Sequence, residues 1–506
     1  MSDIAVVKSR AQVGINAPLV TVEVHVSNGL PALSMVGLPE AEVRESKERV
    51  RCAIINAGYE FPCRRITINL APADLPKEGA RFDLAIALGI LIASDQLEGD
   101  ALDSLEFLGE LALTGNLRPV HGVLPAVLCA KQAGHGMVIP TINTAEATLV
   151  NGISILAAEQ LLDVCAHLDN SRILPAAIAT ASAGNNPINL DLLDVREQYQ
   201  ARRALEVAAA GRHNLLLIGP PGTGKSMLAS RLPSILPPMC EQEALQAAAI
   251  QSISTQGFKL ASWRQRPFRS PHHTASAVAL VGGGSQPRPG EISLAHQGVL
   301  FLDELPEFGR RVLEVMREPL ESGEIHISRA ARHEVYPARF QLVCAMNPCP
   351  CGYLGDSDGR CRCTEEQVSR YRARVSGPLL DRIDLHVQVP RLRTSILTET
   401  GQGTLPENSE QVRERVKLAA DRQLKRSGCL NHMLDQQQIR QHCQLTEKDQ
   451  AMLVMAVEKL RLSARAYHRI LKVARTIADL AAAENIGSMH LLEALSYRKP
   501  LLQHHS

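Results

Sequence analysis

The sequence predicts an α/β protein made of two α/β domains and a helical C-terminal domain. Three observations predict this class. β-type apolar runs alternate with helical stretches over residues 1–168, glycine-punctuated apolar strands alternate with helices over residues 194–390, and residues 410–498 contain no proline and only two glycines. At about 150 residues per domain, a chain of 506 residues fits this division.

The composition narrows the class of protein. Apolar residues make up 45% and charged residues 21% of the chain, which excludes a wholly disordered protein. The net charge of only +1 excludes a uniformly basic nucleic-acid-binding surface but leaves room for a local basic patch. No apolar run reaches the ~18 residues of a membrane span, and the first residues lack the pattern of a signal peptide. We therefore expect a cytoplasmic protein with no membrane partner.

The N-terminal α/β domain is predicted over residues 1–168. The run LVTVEVHVS alternates apolar with polar side chains as a half-buried strand does, whereas FDLAIALGILIASDQL has the length and pattern of a helix. Residues 169–193 are rich in Ala, Ser, Pro and Asn, a composition typical of a linker. The second α/β domain follows over residues 194–390, and the helical domain over residues 391–506.

The strongest local motif follows the apolar run LLLI in the second α/β domain. It consists of Gly219, Pro220, Pro221, Gly222, Thr223, Gly224, Lys225 and Ser226, and a helical run comes next. This order is typical of a P-loop, in which glycines let backbone N–H groups surround phosphates at a helix N-terminus. We expect the loop to bind ATP, with Lys225 reaching the β and γ phosphates and Ser226 coordinating Mg²⁺.

A second apolar run, VLFL, ends in Asp303 and Glu304. Asp303 would hold Mg²⁺ through water, and Glu304 would polarise the water that attacks the γ phosphate. The alternative is that the two carboxylates cap the following helix. Together with the P-loop, the pair indicates ATP hydrolysis.

Residues 244–290 contain no Asp or Glu but carry five basic residues. Aromatic residues are interleaved with these cations, which is the composition of a surface that stacks bases and binds phosphates of single strands. The candidate DNA contacts in this segment are Lys259, Trp263, Arg264, Arg266, Phe268 and Arg269. An ordinary solvated basic loop with locally packed aromatics is the alternative. His272 and His273 are expected to point apart, which disfavours a metal site and favours a positional or DNA-contact role.

A second candidate DNA contact lies in the run ESGEIHISRAARHEVY. Its alternating apolar residues predict a β-hairpin, with Arg329 and Arg332 at the tip or far strand as candidate phosphate ligands.

Four of the twelve cysteines fall close together, at positions 349, 351, 361 and 363. Thiolates of Cys349, Cys351, Cys361 and Cys363 would give zinc a tetrahedral ligand set, and four protein ligands would make the site structural. The spacing is C-x-C rather than the commoner C-x2-C, so reduced thiols without a metal are the alternative interpretation.

With these motifs, the sequence resembles the AAA+ family, in the branch shared by magnesium-chelatase ATPase subunits and MCM helicases. The resemblance implies a P-loop module with a helical lid, Asn347 as the sensor-1 residue that orients the attacking water, and Arg382 as an arginine finger acting on a neighbouring subunit's ATP. Arg465 resembles the sensor-2 residue, although Arg469 on the same predicted helix is an alternative. From the residues alone, salt bridges on helix faces explain these arginines equally well.

The sequence resembles the ComM/YifB family of magnesium-chelatase-like proteins over its whole length, through segments such as MVGLPEAEVRESKERVRCAI, RPFRSPHHTASAVALVGGG and AMNPCPCGY. The family implies a homohexameric ATP-dependent DNA helicase that acts on single-stranded and branched DNA. It promotes branch migration during natural transformation, with a recombinase as a candidate partner. Glu197 departs from the family pattern, which has glycine before Gln198.

The N-terminal domain resembles the proteolytic, S5-like domain of Lon, which raises the alternative of a protease. The alignment places Arg81 at the position of the serine nucleophile and Leu124 at that of the lysine. Neither side chain performs acyl transfer, so we expect a Lon-like fold without protease activity. A protein-remodelling ATPase like the chelatase motor subunit is the main alternative to a DNA helicase.

Overall fold

The computed structural model describes residues 4–99, 102–178, 190–284, 287–329, 332–355, 359–391, 407–460 and 462–498. It is a mixed α/β structure with parallel sheets, as the sequence predicts. Among the described residues we find no helix with both the length and the hydrophobicity of a membrane span.

A four-stranded sheet opens the N-terminal part, in the order β1-β2-β4-β3. Its elements are β1 (Ile4–Arg10), β2 (Leu19–Ser27), β3 (Ala32–Val36), β4 (Arg65–Ala71) and the helices α1 (Ala41–Asn56) and α2 (Asp83–Ala93). The alternation of apolar and polar residues in β2 matches its burial, because its four valines are buried and the residues between them are only partly covered. Helix α2 is apolar nearly all round because it packs on β1, β2 and α1.

A parallel three-stranded sheet, in the order β5-β8-β9, completes the N-terminal part. The remaining elements are β5 (Leu105–Phe107), β6 (Glu110–Leu111), β7 (Leu117–Arg118), β8 (Gly136–Pro140), β9 (Ile155–Ala158), α3 (Val123–Ala133), α4 (Thr144–Ala147) and α5 (Leu161–Leu168). Helix α3 faces the second part of the chain and packs on its helix over residues 241–252.

A five-stranded parallel sheet forms the centre of the second part. Its strands are β10 (Leu215–Ile218), β11 (Phe268–Arg269), β14 (Val299–Leu302), β17 (Gln341–Met346) and β18 (Leu385–Gln388), in the order β11-β14-β17-β10-β18. β10, β14 and β17 are buried throughout, which explains their continuous apolar runs. The carboxyl ends of these three strands meet at one edge.

Helices cover both faces of this sheet, and two small β-pairs project from it. The helices are α6 (Tyr199–Gly211), α7 (Lys225–Ile235), α8 (Glu241–Ser252), α9 (Ala277–Val281), α10 (Glu291–Leu294), α11 (Arg310–Val315), α12 (Pro319–Ser322), α13 (Glu365–Arg372) and α14 (Gly377–Leu380). The β-pairs are β12 (Gly282–Gly283) with β13 (Arg288–Pro289) and β15 (Glu324–Arg329) with β16 (Arg332–Pro337).

The C-terminal part is helical, as predicted. It contains α15 (Ser409–Ser427), α16 (Gln436–His442), α17 (Glu447–Lys459), α18 (Ala464–Leu480) and α19 (Ser488–Ser496). One hydrophobic core continues from the five-stranded sheet through α6 into α15, α18 and α19. The C-terminal helices are therefore packed against the sheet through a shared core and are not joined to it only by the chain.

Candidate active site

The carboxyl ends of β10, β14 and β17 enclose a cavity of about 410 Å³. Its lining comprises Pro221, Gly222, Thr223, Gly224, Lys225, Ser226, Met227, Asp303, Glu304, Met346 and Asn347. Ligands of parallel α/β sheets bind at this edge, because the loops that follow the strands converge there. The glycine-rich loop, the two carboxylates and Asn347, which are far apart in sequence, thus face one space.

The glycine-rich loop needs its glycines for backbone reasons. Gly222 and Gly224 have φ angles of 76° and 81°, in the left-handed region that favours glycine. At Gly219, a Cβ would lie only 2.2 Å from the carbonyl oxygen of Val389. The loop therefore curls tightly onto the start of α7, where backbone N–H groups have no helical partner.

Lys225 is held at the centre of the loop. Its Nζ donates to the carbonyl oxygens of Gly219 (2.8 Å) and Pro220 (2.9 Å) and to Oδ1 of Asn347 (3.2 Å). Burial lowers the pKa of Lys225, while the charges of Asp303 and Glu304 oppose this change. The ammonium group is thus positioned beside the cavity by acceptors that it can exchange for phosphate oxygens.

Ser226 and Asp303 supply the oxygens that a magnesium ion prefers. The Ser226 hydroxyl lies 2.5 Å from Oδ2 of Asp303. A hydroxyl and a carboxylate in contact, next to a phosphate-binding loop, fit the ligand set that Mg²⁺ uses with nucleotides. The other oxygen of Asp303, Oδ1, accepts from the backbone N–H of Glu304 (2.9 Å), which orients the carboxylate.

Glu304 follows β14 in a left-handed conformation, with φ at 52°. Its carboxylate is exposed, and Oε2 lies 3.0 Å from Nδ1 of His273. The prediction that the two adjacent histidines point apart was wrong, because their ring centroids are 4.1 Å apart with an interplanar angle of 33°. Sequence reasoning also missed the contact with Glu304, which arises because β11 lies beside β14.

Asn347 follows β17 and lies opposite Lys225. The cysteine-containing loop begins immediately after it and packs on the glycine-rich loop, since a Cβ at Gly352 would lie 2.6 Å from Cδ of Pro221. The sulfur atoms of Cys349, Cys351, Cys361 and Cys363 all lie within 4.8 Å of one another.

Arg382 is not among the residues that line this cavity. Its guanidinium is buried, donates to the carbonyl oxygen of Pro378 (2.7 Å) and forms a short ion pair with Glu321. The pair lies in a separate cavity of about 380 Å³, whose other lining residues include Glu314 and Arg317.

The two arginines at the start of α18 have different environments. Arg469 donates to the carbonyl oxygen of Arg382 (2.9 Å) and to Oδ1 of Asp384 (2.5 Å). Arg465 is exposed on the first turn and makes no hydrogen bond or ion pair within the described part of the chain. Arg469 is therefore held by contacts within the protein, whereas Arg465 is exposed to solvent.

Three of the predicted DNA contacts have partners within the protein. The Arg266 side chain is only 7% exposed and donates to the carbonyl oxygens of Pro237 and Gln297 and to Glu243. Arg269 forms a two-pronged ion pair with Glu291.

Phe268 lies within β11 and stacks on Phe301, with ring centroids 6.0 Å apart. A DNA strand that binds Arg266, Phe268 or Arg269 would have to displace these contacts.

The other candidate DNA contacts within residues 244–290 differ in how exposed their side chains are. Trp263 and Phe258 pack partly against the hydrophobic cluster between α3 and α8, as the local-packing alternative expects. Lys259 and Arg264 are exposed, and the Arg264 guanidinium lies 5.8 Å from the centre of the Trp263 ring. Two of the predicted cations in the segment thus remain accessible to phosphates.

The predicted hairpin forms as β15 and β16, with Arg329 opposite Arg332 in the antiparallel register. Their side chains, and residues 330–331 between them, lie outside the described part of the structure.

In the N-terminal part, the two positions of the Lon-like dyad hold inert side chains. Arg81 is buried and donates to Oε1 of Gln12 (2.7 Å) and to the carbonyl oxygen of His121 (2.6 Å). Leu124 is fully buried. A serine–lysine nucleophile is absent from these two positions.

Gln198 connects the start of α6 to the glycine-rich loop, because its Nε2 donates to the carbonyl oxygen of Thr223 (2.7 Å). The preceding residue, Glu197, has a φ of 57°. The position where this sequence departs from the family pattern therefore has the backbone conformation that glycine favours.

Comparison with known proteins gives consistent matches along the chain. Residues 191–397 match the family described as magnesium chelatase, subunit ChlI. Residues 22–143 match subunit ChlI of Mg-chelatase, and residues 406–498 match the ChlI C-terminal family.

The chain is 53% identical to competence protein ComM of Haemophilus influenzae over 499 residues, covering 98% of this chain and 97% of that protein. It is also 53% identical to YifB of Escherichia coli over 497 residues, with the same coverage. A shorter match, 31% identical over 121 residues, links 24% of the chain to 21% of Lon protease 2 of Bacillus subtilis.

Proposed function

Because this chain belongs to the ComM/YifB family of magnesium-chelatase-like proteins, we propose that it is an AAA+ ATPase that translocates on DNA as a ring. In this proposal, it promotes branch migration when incoming single strands recombine during natural transformation. The single observation that carries the ATPase is the convergence of Lys225, Ser226, Asp303 and Asn347 on one cavity.

The residues of the cavity fit MgATP, which the family implies as its ligand. Ser226 and Asp303 would hold Mg²⁺, which when bound neutralises charge on the β and γ phosphates. The Lys225 ammonium would exchange its loop carbonyl acceptors for phosphate oxygens, and the backbone N–H groups at the start of α7 would surround the phosphates. Asn347 would orient the attacking water from the opposite side.

Glu304 is the group that would accept a hydrogen bond from that water. Its contact with His273 must lengthen for the carboxylate to face the γ phosphate. Arg465, exposed at the first turn of α18, would complete the site from the helical C-terminal part, which serves as the lid.

The proposed ring gives Arg382 the role of acting on a neighbouring subunit's ATP. Its guanidinium does not line the chain's own nucleotide cavity, and its ion pair with Glu321 must break before it reaches ATP. We therefore include a homohexamer in the proposal, since closed rings are the usual product of a head-to-tail interface.

DNA is the proposed substrate because exposed cations lie on the segment that contacts Glu304. Lys259 and Arg264 precede β11, and His273 follows it. The name of the relative competence protein ComM supports a role in handling incoming DNA. A recombinase is the proposed partner, because branch migration extends strand exchange that another protein begins.

A second candidate is a protein-remodelling ATPase, as the magnesium-chelatase subunit names of the matching families suggest. The ion pairs of Arg266 with Glu243 and of Arg269 with Glu291 favour it, because they engage two cations of the proposed DNA surface within the protein.

The experiment that separates these functions measures ATP turnover of the full-length protein with and without single-stranded DNA, at low and high salt. A DNA motor gives turnover that DNA stimulates and that salt suppresses steeply. A rate that DNA leaves unchanged at low salt contradicts the DNA proposal.

A further inference from the structure

The cysteine cluster has no part in the proposed ATPase chemistry, yet it lies on the loop that joins β17 to α13, next to the nucleotide cavity. Its sulfur atoms are close but not bonded. Sγ of Cys349 lies 3.3 Å from Sγ of Cys351 and 3.7 Å from that of Cys361, and the Cys351 and Cys361 sulfurs are 3.6 Å apart. Together with Cys363, all four lie within 4.8 Å of one another.

These separations match a metal centre better than either of the other arrangements that thiols adopt. Zinc–sulfur bonds of about 2.3 Å in a tetrahedron place the sulfurs about 3.8 Å apart. A disulfide would need about 2.05 Å. A shared metal ligand accounts for the approach of four thiols from two separate segments of the loop.

Two arginines are held near the cluster. The Arg360 guanidinium, next to Cys361 in the chain, lies 4.6 Å from the centre of the Tyr353 ring. Arg372 donates to the carbonyl oxygen of Pro348, the residue before Cys349. A zinc ion with four thiolates carries a net charge of −2, which these cations balance in part.

We propose that Cys349, Cys351, Cys361 and Cys363 bind one Zn²⁺ ion in a closed tetrahedral shell, and that this ion fixes the loop that positions Asn347. Gly352, inside the cluster, contacts Pro221 of the glycine-rich loop so closely that a Cβ there would lie 2.6 Å from its Cδ. Asn347, at the start of the same loop, accepts from Lys225. The metal therefore braces both sides of the nucleotide cavity. The positioning role rests on the proposed ATPase, whereas the binding of zinc does not.

Metal analysis of the full-length protein, purified without chelators, tests the site itself. We expect about one zinc ion per chain. The double variant Cys351→Ser/Cys361→Ser should retain less than about a fifth of that amount, and the matched control Cys52→Ser/Cys63→Ser, whose cysteines lie outside the cluster, should retain all of it.

Should the double variant fold poorly, Co²⁺ exchanged into the wild-type chain gives an independent test through the visible absorption of a tetrahedral cobalt–thiolate centre. Wild-type protein that takes up neither metal, or a double variant that keeps its zinc, overturns the site.

ATP turnover by the wild-type protein after zinc removal with an organomercurial and after zinc return tests the positioning role. We expect turnover to fall at least about tenfold and to recover when thiols are regenerated and zinc is restored, because the misplaced Asn347 and glycine-rich loop no longer align the reactants. Unchanged turnover in the zinc-free protein overturns this role. Zinc-loaded protein without any ATP turnover would instead contradict the proposed function and leave the zinc result standing.

Discussion

Nδ1 of His273 lies 3.0 Å from Oε2 of Glu304, so the proposed catalytic carboxylate is held by a histidine from another strand end. His273 follows β11, which is preceded by the exposed cations Lys259 and Arg264. The contact thereby joins the segment proposed to bind DNA to the group proposed to activate water. A change in that segment on binding DNA would reach Glu304 through a single side chain.

The first prediction concerns this contact. His273→Ala should raise the basal ATP turnover about fivefold, since a hydrogen bond worth about 1 kcal/mol no longer holds Glu304 away from water. Stimulation by single-stranded DNA should shrink by a similar factor. Steady-state ATP turnover with and without DNA measures both effects. His272→Ala is the comparison variant, because it removes the ring that lies 4.1 Å from His273 but keeps the side chain that contacts Glu304. If His273→Ala has the same basal and DNA-stimulated rates as wild type, His273 does not link the proposed DNA-binding segment to Glu304.

The two arginines of α18 should separate function from stability. Arg465→Ala should lower ATP turnover at least about tenfold and leave the free energy of unfolding unchanged, because Arg465 is exposed and would act only on nucleotide. Arg469→Ala should lower the free energy of unfolding by about 3 kcal/mol, since it leaves the buried Asp384 without its nearest cation. Urea unfolding and ATP turnover of both variants measure the contrast. If Arg465→Ala destabilises the protein, or Arg469→Ala does not, then our assignment of Arg465 to the nucleotide and Arg469 to stability is wrong.

The ion pair between Arg469 and Asp384 should also make the free energy of unfolding depend on pH. Burial alone would raise the pKa of Asp384, but the charges of Arg469, His213 and Arg498 outweigh it and hold the pKa well below its usual range. A lowered folded-state pKa stabilises the protein above the ordinary Asp value of about 3.9, and this contribution is lost as the pH falls below that value.

In Arg469→Ala the folded-state pKa of Asp384 rises toward its ordinary value, so the stabilisation from the paired carboxylate is lost. The difference in unfolding free energy from wild type should therefore be fully present above about pH 4 and shrink as the pH falls below that value. A difference that stays constant with pH would mean that Asp384 does not carry the effect.

Glu197→Gly should stabilise the protein. Glu197 has a φ of 57°, a conformation that costs a non-glycine residue about 1 kcal/mol and glycine very little. We expect a gain of about 1 kcal/mol in the urea unfolding experiment. Glu197→Ala is the matched control, because it removes the side chain but keeps the backbone cost. Equal stability of the glycine and alanine variants would show that the backbone conformation is not what matters.

Removal of the two exposed cations should weaken DNA binding without unfolding the protein. For Lys259→Ala/Arg264→Ala, the slope of log affinity against log salt should fall by about 1.4 on single-stranded DNA, at about 0.7 per lost phosphate contact. Arg172→Ala, which removes an exposed arginine of the N-terminal part, is the control. A salt dependence of binding that is the same in the double variant and wild type would exclude these residues as phosphate ligands.

The sequence predicts the fold class and the contiguous motifs because each is local. The glycine-rich loop lies directly between a strand and a helix, and Asp303 lies at the end of its own strand, so spacing alone identifies them. For the acid-free segment of residues 244–290, the sequence pattern did not reveal that two of its arginines have acidic partners. Glu243 and Glu291 lie on either side of the acid-free residues 244–290, and they are the partners of Arg266 and Arg269.

Other features depend on strand order, which the sequence pattern does not give. His273 reaches Glu304 only because β11 lies beside β14 in the sheet. The choice between Arg465 and Arg469 likewise depends on Asp384, which lies before β18 and is brought to α18 by the fold. Charge counts along a chain therefore overestimate the number of free cations, since partners just outside the counted stretch escape notice.

The most direct test of the central claim is the unwinding of a branched DNA substrate by Glu304→Gln compared with wild type, in the presence of ATP and Mg²⁺. We expect wild type to displace the strands, and Glu304→Gln to bind ATP with unchanged affinity but to lose at least about 100-fold of the unwinding rate, because the group that activates water is gone. Normal unwinding by Glu304→Gln, or no unwinding by a wild-type protein that hydrolyses ATP, would contradict the assignment of this protein as a DNA motor.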